Sequence, residues 1–429
     1  MKKQLTQKLH SLSLYVRPRH RIGLLLYLIL SIGTGYLLIF GNSKPVKAAY
    51  LPNEFVTAWK TDNPGVSASN QITIPTAVGE TYSYSVAWEE VGNPGNSGTG
   101  GLFTGDATIT FPSVGTYEVR ITGVFPRIQT QTSFESLTDS KKLMEVRQWG
   151  NNQWTSMQGA FMGATNLTVT AVDVPDLTNV TDMGAMFAGA TSFNQPLNNW
   201  DVSNVTSTSV MFAGATSFNQ PLNNWDVSNV TNMTFMFANA SAFNQPLSTW
   251  VVGSVTVTAY MFTNATSFNQ PLNNWDVSNV TNTNSMFSGA TSFNQTLSNW
   301  DVSSVTDMGA MFYNNSSFNQ PLNNWDVSSV TSMSFMFANA TSFNQPLNNW
   351  DISSVTNMSY AFFVATSFNQ PLNNWDVSNV TNMGYMFAGA TSFNQPLSTW
   401  NVSSVTSLYA MFYNATIFNQ PLGTWNVVN

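Results

Sequence analysis

Apolar residues return at a fixed interval over the C-terminal two thirds of the chain. Trp stands at 200, 225, 250 and on to 425, always 25 residues apart. In the unit FNQPLNNWDVSNVTNM, the apolar positions are Phe218, Leu222, Trp225, Val227, Val230 and Met233, and a Met-Phe pair follows at Met236-Phe237. A period in this range marks a solenoid, whose units bury their apolar faces only against neighbours. The spacing within a unit is neither purely 2 nor purely 3.6. It predicts a mixed coil, with a short parallel strand over Leu222–Trp225 and a short helix or 3₁₀ turn over Asn232–Ala240. Pro221 lacks an amide donor and belongs at the strand entry. The Gly214-Ala215 and Asn239-Ala240 steps suit a bend with positive φ. Stacked strands lie ~4.8 Å apart, and the Asn and Gln columns then form amide ladders from unit to unit.

The regular units run over 183–429 and end partway through a repeat. The stretch 128–182 reads as a linker followed by a divergent N-terminal cap. Residues 49–127 have another texture. Gln71–Ile74, Thr81–Trp88, Ala107–Phe111 and Thr116–Phe125 alternate apolar and polar residues, and turn-forming runs such as Gly92–Gly101 separate them. This pattern predicts a small all-β sandwich acting as a spacer. Residues 1–48 carry Lys2, Lys3, Lys8, Arg17, Arg19 and Arg21 ahead of the apolar run Ile22–Phe40, then Val46-Lys47-Ala48. That order predicts a signal peptide cut after Ala48, with an uncleaved anchor as the alternative. Either way the rest of the chain is expected outside the cytoplasm.

Composition narrows the chemistry. The chain has 429 residues and no Cys, and all 14 Lys and Arg residues lie at or before Arg147. Beyond Trp149 there is no Lys, Arg, His or Glu. Such a segment cannot neutralise phosphates, so no nucleic-acid partner is expected. It also lacks most general bases, nucleophiles and metal ligands, so no enzyme, catalytic residue, cofactor or metal is expected.

The phrases QWGNNQWTSMQGAFMGATNL (Gln148–Leu167) and MFAGATSFNQPLNNWDVSNVTNM (Met211–Met233) resemble the BspA-like leucine-rich repeat surface proteins. The stretch GDATITFPSVGTYEVRITG resembles PKD-like and immunoglobulin-like modules of bacterial surface proteins. The first resemblance implies a leucine-rich-repeat-like solenoid on a bacterial surface, with roles in adhesion to host proteins or tissue, co-aggregation and stimulation of host receptors. It implies no catalytic residues.

Within the unit, the regular Trp and Asp columns read as construction. The Trp column is expected in the core. The Asp226-type column is expected to close a local turn by accepting an amide two residues on, and stacked carboxylates binding Ca²⁺ are the less favoured use. Recognition is expected at the column that varies, which includes Phe235, Tyr260, Phe335, Tyr360 and Tyr385, if that column is exposed; a tolerant edge of the core is the alternative. Tyr and Phe are favoured at interfaces. The expected function is therefore a non-catalytic, adhesin-like extracellular protein that binds a host-matrix protein or a glycan. Membrane contact is expected only through an uncleaved N-terminus, and a self-associating surface coat is the alternative.

Overall fold

The computed structural model describes residues 49–133 and 137–426. The expected signal peptide lies outside the described residues, and so does the end of the last repeat. Residues 50–429 form one compact unit.

The N-terminal part is built on a sheet with strand order β4-β3-β6-β1-β7-β8. Its members are β1 (Phe55–Lys60), β3 (Ser83–Glu90), β4 (Asn93–Phe103), β6 (Thr116–Val124), β7 (Leu143–Gln148) and β8 (Thr168–Val169). A separate antiparallel pair joins β2 (Gln71–Ile74) to β5 (Ala107–Thr110), with Ile72 opposite Ile109. Alternation explains β3 and β6, whose Tyr84, Val86, Val119 and Ile121 point into one core. β4 falls on the glycine-rich run expected to be a turn. Gly98 supplies the room that a strand needs there, because a Cβ at that position would strike the indole of Trp88.

The sheet does not stop with this part of the chain. β7 pairs antiparallel with β1 and parallel with β8, Glu145 facing Thr168 and Val146 facing Val169. The change of direction hands the antiparallel sheet over to parallel stacking. Phe55, Trp149 and Trp154 seal the junction, their ring centroids 5.0 to 6.1 Å apart. Asp173 accepts the amides of Trp149 and Gly150.

Beyond the junction the expected architecture is corrected. A leucine-rich-repeat-like solenoid of short parallel strands and short helical turns is not found. Among the described residues of the repeats there is no helix, and strand pairing shrinks to isolated parallel bridges, one per unit, from Asp182↔Ser207 to Asn382↔Ser407. The expected strand Leu222–Trp225 is a turn closed by the Trp225 amide on the Leu222 carbonyl at 3.1 Å. The expected helical segment is a chain of turns in which amides take alternate roles. Met236, Ala238 and Ala240 donate three residues back, to Met233, Phe235 and Phe237. Met233, Phe235, Phe237 and Asn239 donate instead to Val257, Ala259, Met261 and Thr263 of the next unit, at 2.7 to 3.1 Å. A helix would turn every amide inward along its own axis. Left-handed residues at Phe235 (φ 58°) and Asn239 (φ 58°) release every second amide to the neighbour instead.

The units are held together by three further devices. Phe237 stacks on Phe262 at 5.6 Å, Phe243 on Phe268 at 6.0 Å, and Trp300 on Trp325 at 6.4 Å, all within 6° of parallel. From Trp225 to Trp425 each indole N–H of the column reaches a leucine carbonyl of the preceding unit, as in Trp225 Nε1 to Leu197 O at 2.9 Å and Trp425 Nε1 to Leu397 O at 3.0 Å. Amide ladders run alongside, the Asn244 amide and Gln245 Nε2 both donating to Asn219 Oδ1 at 3.0 Å. These donors thus find their partners one unit away, as buried polar groups require.

Candidate functional site

The five residues expected to meet a partner lie in one column and share one unusual backbone state. Phe235, Tyr260, Phe335, Tyr360 and Tyr385 all have φ between 56° and 61°. A non-glycine residue in this region is uncommon, and repeating it unit after unit requires the surroundings to hold it. Here the hold is the alternating hydrogen bonding, in which the Phe235 amide donates to Ala259 and the Phe235 carbonyl accepts from Ala238. The side chain is thereby turned away from the core. Phe235 and Phe335 are 36% and 37% exposed, and the three tyrosines are half-buried.

The structure brings these residues together in two groups. Phe235 lies on Tyr260 with centroids 4.3 Å apart and planes within 4°. Phe335 lies on Tyr360 at 4.4 Å, and Tyr360 on Tyr385 at 4.7 Å. Ser285 and Ala310 occupy the column between the groups, so the strip is interrupted over two units. Sequence reasoning missed three aromatics that complete the second group. Tyr313 meets Phe335 edge-on at 6.0 Å, Phe363 meets Tyr385 at 6.5 Å, and Tyr409, 70% exposed, meets Tyr385 at 5.2 Å. Their signal was an aromatic in columns otherwise held by small or polar residues. Close packing, through desolvation first and then the neighbouring Tyr409, raises the Tyr385 hydroxyl pKa.

Ring centroids are 4.3 to 4.7 Å apart along the strip, against 5.6 Å for Phe237 on Phe262 and 6.4 Å for Trp300 on Trp325, so the partly exposed rings are the most closely stacked of the three columns.

The aspartates lie elsewhere. Asp226 Oδ1 accepts the Ser228 amide at 3.0 Å, the expected local turn. The Ser228 hydroxyl and amide hold its carboxyl below the usual carboxylate range, and Ser278, Ser328 and Ser378 do the same for Asp276, Asp326 and Asp376. Among the described residues, no three Asp, Glu, His or Cys side chains gather where they could hold a metal ion. Nor is any helix there long and apolar enough to cross a membrane.

A family model described as "Mycoplasma protein of unknown function, DUF285" matches residues 155–275, 259–371 and 344–429. No curated protein and no solved structure matches the chain. The match corrects the BspA-like leucine-rich repeat identification, and the PKD-like or immunoglobulin-like reading of the N-terminal part finds no support. The columns explain how the resemblance misled. Each unit has a single buried leucine, such as Leu222, beside Phe218, Phe212 and Trp225, so the core is aromatic rather than leucine-rich. The three matches overlap into one run from residue 155 to 429, well over half of the chain, which therefore belongs to the DUF285 repeat family.

Proposed function

We propose that this chain is a non-catalytic, adhesin-like binding protein that works outside the cytoplasm and engages a protein or glycan partner through the partly exposed aromatic strip. The observation that carries this reading is the run Phe335–Tyr360–Tyr385–Tyr409, partly exposed rings in contact one after another, with no cation in any repeat. Stacked rings are already ordered, so a partner that covers them costs little side-chain entropy, and aromatic clusters of this kind dominate binding energy at interfaces. The basic and apolar order of residues 1–48 supports placement outside the cytoplasm.

The test is binding of the full chain to immobilised extracellular-matrix proteins and to a glycan array. It is run beside the triple variant Phe335→Ala, Tyr360→Ala, Tyr385→Ala. Alanine stands naturally in this column at Ala310 and Ala410, so the variant keeps the fold. Loss of about 2–4 kcal/mol of binding, some 30-fold or more, is expected for the triple variant. Equal binding by both proteins, or no partner of either class, would overturn the reading. Concentration-dependent association of the chain with itself, abolished in the triple variant, would replace it with self-assembly.

A further inference from the structure

The two aromatic groups differ at their leading edges. In the second group, the unit before Phe335 supplies Tyr313, whose ring meets Phe335 edge-on at 6.0 Å and 88°. Phe363 takes the same place beside Tyr385, at 6.5 Å and 83°. In the first group the equivalent of Tyr313 is Ala213, and no ring of the described residues fills the place in front of Phe235. A groove of about 390 Å³ is left there, lined by Val210, Ala213, Gly214, Phe235, Ala238 and Asn239. One lining residue, Gly214, has φ 71° and stands where the second group has Asn314.

We propose that this groove receives an aromatic side chain from a partner polypeptide. The proposal rests on the binding function argued above and assigns it one subsite. The chain itself displays the occupant, because Tyr313 and Phe363 show which ring this geometry accepts and at what angle. Edge-to-face pairs at such distances are the favoured arrangement of two aromatic rings. The lining suits a ring better than a sugar. Its side chains are apolar except for Asn239, and a pyranose would leave several hydroxyls without partners. Asn239 Oδ1 accepts from Asn264 Nδ2 at 3.0 Å, so the Asn239 amide group keeps its own N–H donors for a backbone carbonyl or phenol oxygen at the rim.

The experiment titrates the full chain with N-acetyl-tyrosine amide and, in parallel, with methyl β-glucopyranoside, following the Val210 methyl resonances. The variant Ala213→Tyr places a ring where Tyr313 stands naturally and so closes the groove from within. Saturable shifts with the tyrosine probe, weakened about tenfold or more in Ala213→Tyr, are the expected result. Phe235→Ser, with the residue found naturally at Ser285, should weaken the probe similarly, and the two variants together guard against a folding artefact. Val210 shifts only with the glucoside, with neither probe, or unchanged in both variants would overturn the proposal. If Ala213→Tyr binds the extracellular partner normally while the Phe335, Tyr360, Tyr385 triple variant does not, the binding function stands and the groove assignment falls. If the groove alone responds and the triple variant changes nothing, the strip reading falls instead.

Discussion

The N-terminal sheet and the repeat stack solve the same problem with opposite means. The sheet region relies on contacts that occur once. Glu118, almost fully buried, is held by Arg120 at 2.9 Å and by Arg147 at 2.7 Å. Lys142, equally buried, donates to the Ser67, Ala68 and Gln71 carbonyls at 2.9 to 3.0 Å, while Asp139 accepts the Val66, Ser67 and Thr73 amides. These two side chains pin a loop some 70 residues earlier in the chain. The stack has no cation and needs none, because every unit repeats the same neutral contacts with the next. One region therefore concentrates its stability in a few irreplaceable residues. The other distributes it over copies.

The largest test of that contrast is Lys142→Met. It leaves Asp139 buried without its counter-charge, and breaking such a pair costs about 3–5 kcal/mol. Urea unfolding of the full chain should show the sheet region lost first, with hydrogen exchange of the repeat amides little changed. A simultaneous loss of protection in the distal repeats would show the two regions to be one cooperative unit.

A smaller effect of opposite sign is expected at Asn315. This residue is fully buried in a column held elsewhere by alanine, and its Nδ2 has no partner, while its Oδ1 takes the Phe318 amide. Asn315→Ala removes the unpaired amide and restores the usual turn, seen as the Phe343 amide on the Ala340 carbonyl. A gain of about 1–2 kcal/mol follows from the desolvation of such a group. A melting temperature below that of the parent would contradict it.

The smallest effect concerns acid. Carboxyls at Asp226, Asp276, Asp326 and Asp376 titrate below their ordinary value of about 4 because serine hydroxyls and amides bond to them. Their contribution is present above that ordinary value and is lost as pH falls through the lower folded values. Replacing all four by Asn keeps the turn, as Asn401 does with the Ser403 amide at 3.2 Å, and removes the titration. The melting temperature of this variant should fall less steeply below pH 4 than that of the parent. An identical acid limb would show that these four turns do not set the acid sensitivity.

What could be read from the sequence was whatever a single column expresses. The Phe, Leu and Trp core, the Asp226 turn and the positive φ at Gly214 and Asn239 each need only one residue and its copies. The turn chain over Asn232–Ala240 was misread for a definite reason. Met233, Met236, Phe237 and Ala240 fall at the i, i+3, i+4, i+7 spacing of an amphipathic helix. Two left-handed residues four apart reproduce that spacing without a helix. β4 was hidden because glycines suit a strand only when a ring such as Trp88 lies over them. The column of Phe235 was legible as variable. The groove was not, because it depends on Ala213 lying before Phe235 in space, a relation between units that no single column carries.

The alternating amides have a consequence for how such a protein changes. The alternating amides of one unit meet acceptors 24 residues ahead, as for Phe237 to Met261 and Phe287 to Met311. Removing or adding 25 residues therefore creates no unfamiliar seam. A gain or loss of one whole unit alters how many rings the variable column offers and how far apart they stand. The number of rings in that column then changes in whole steps, without a single new point mutation.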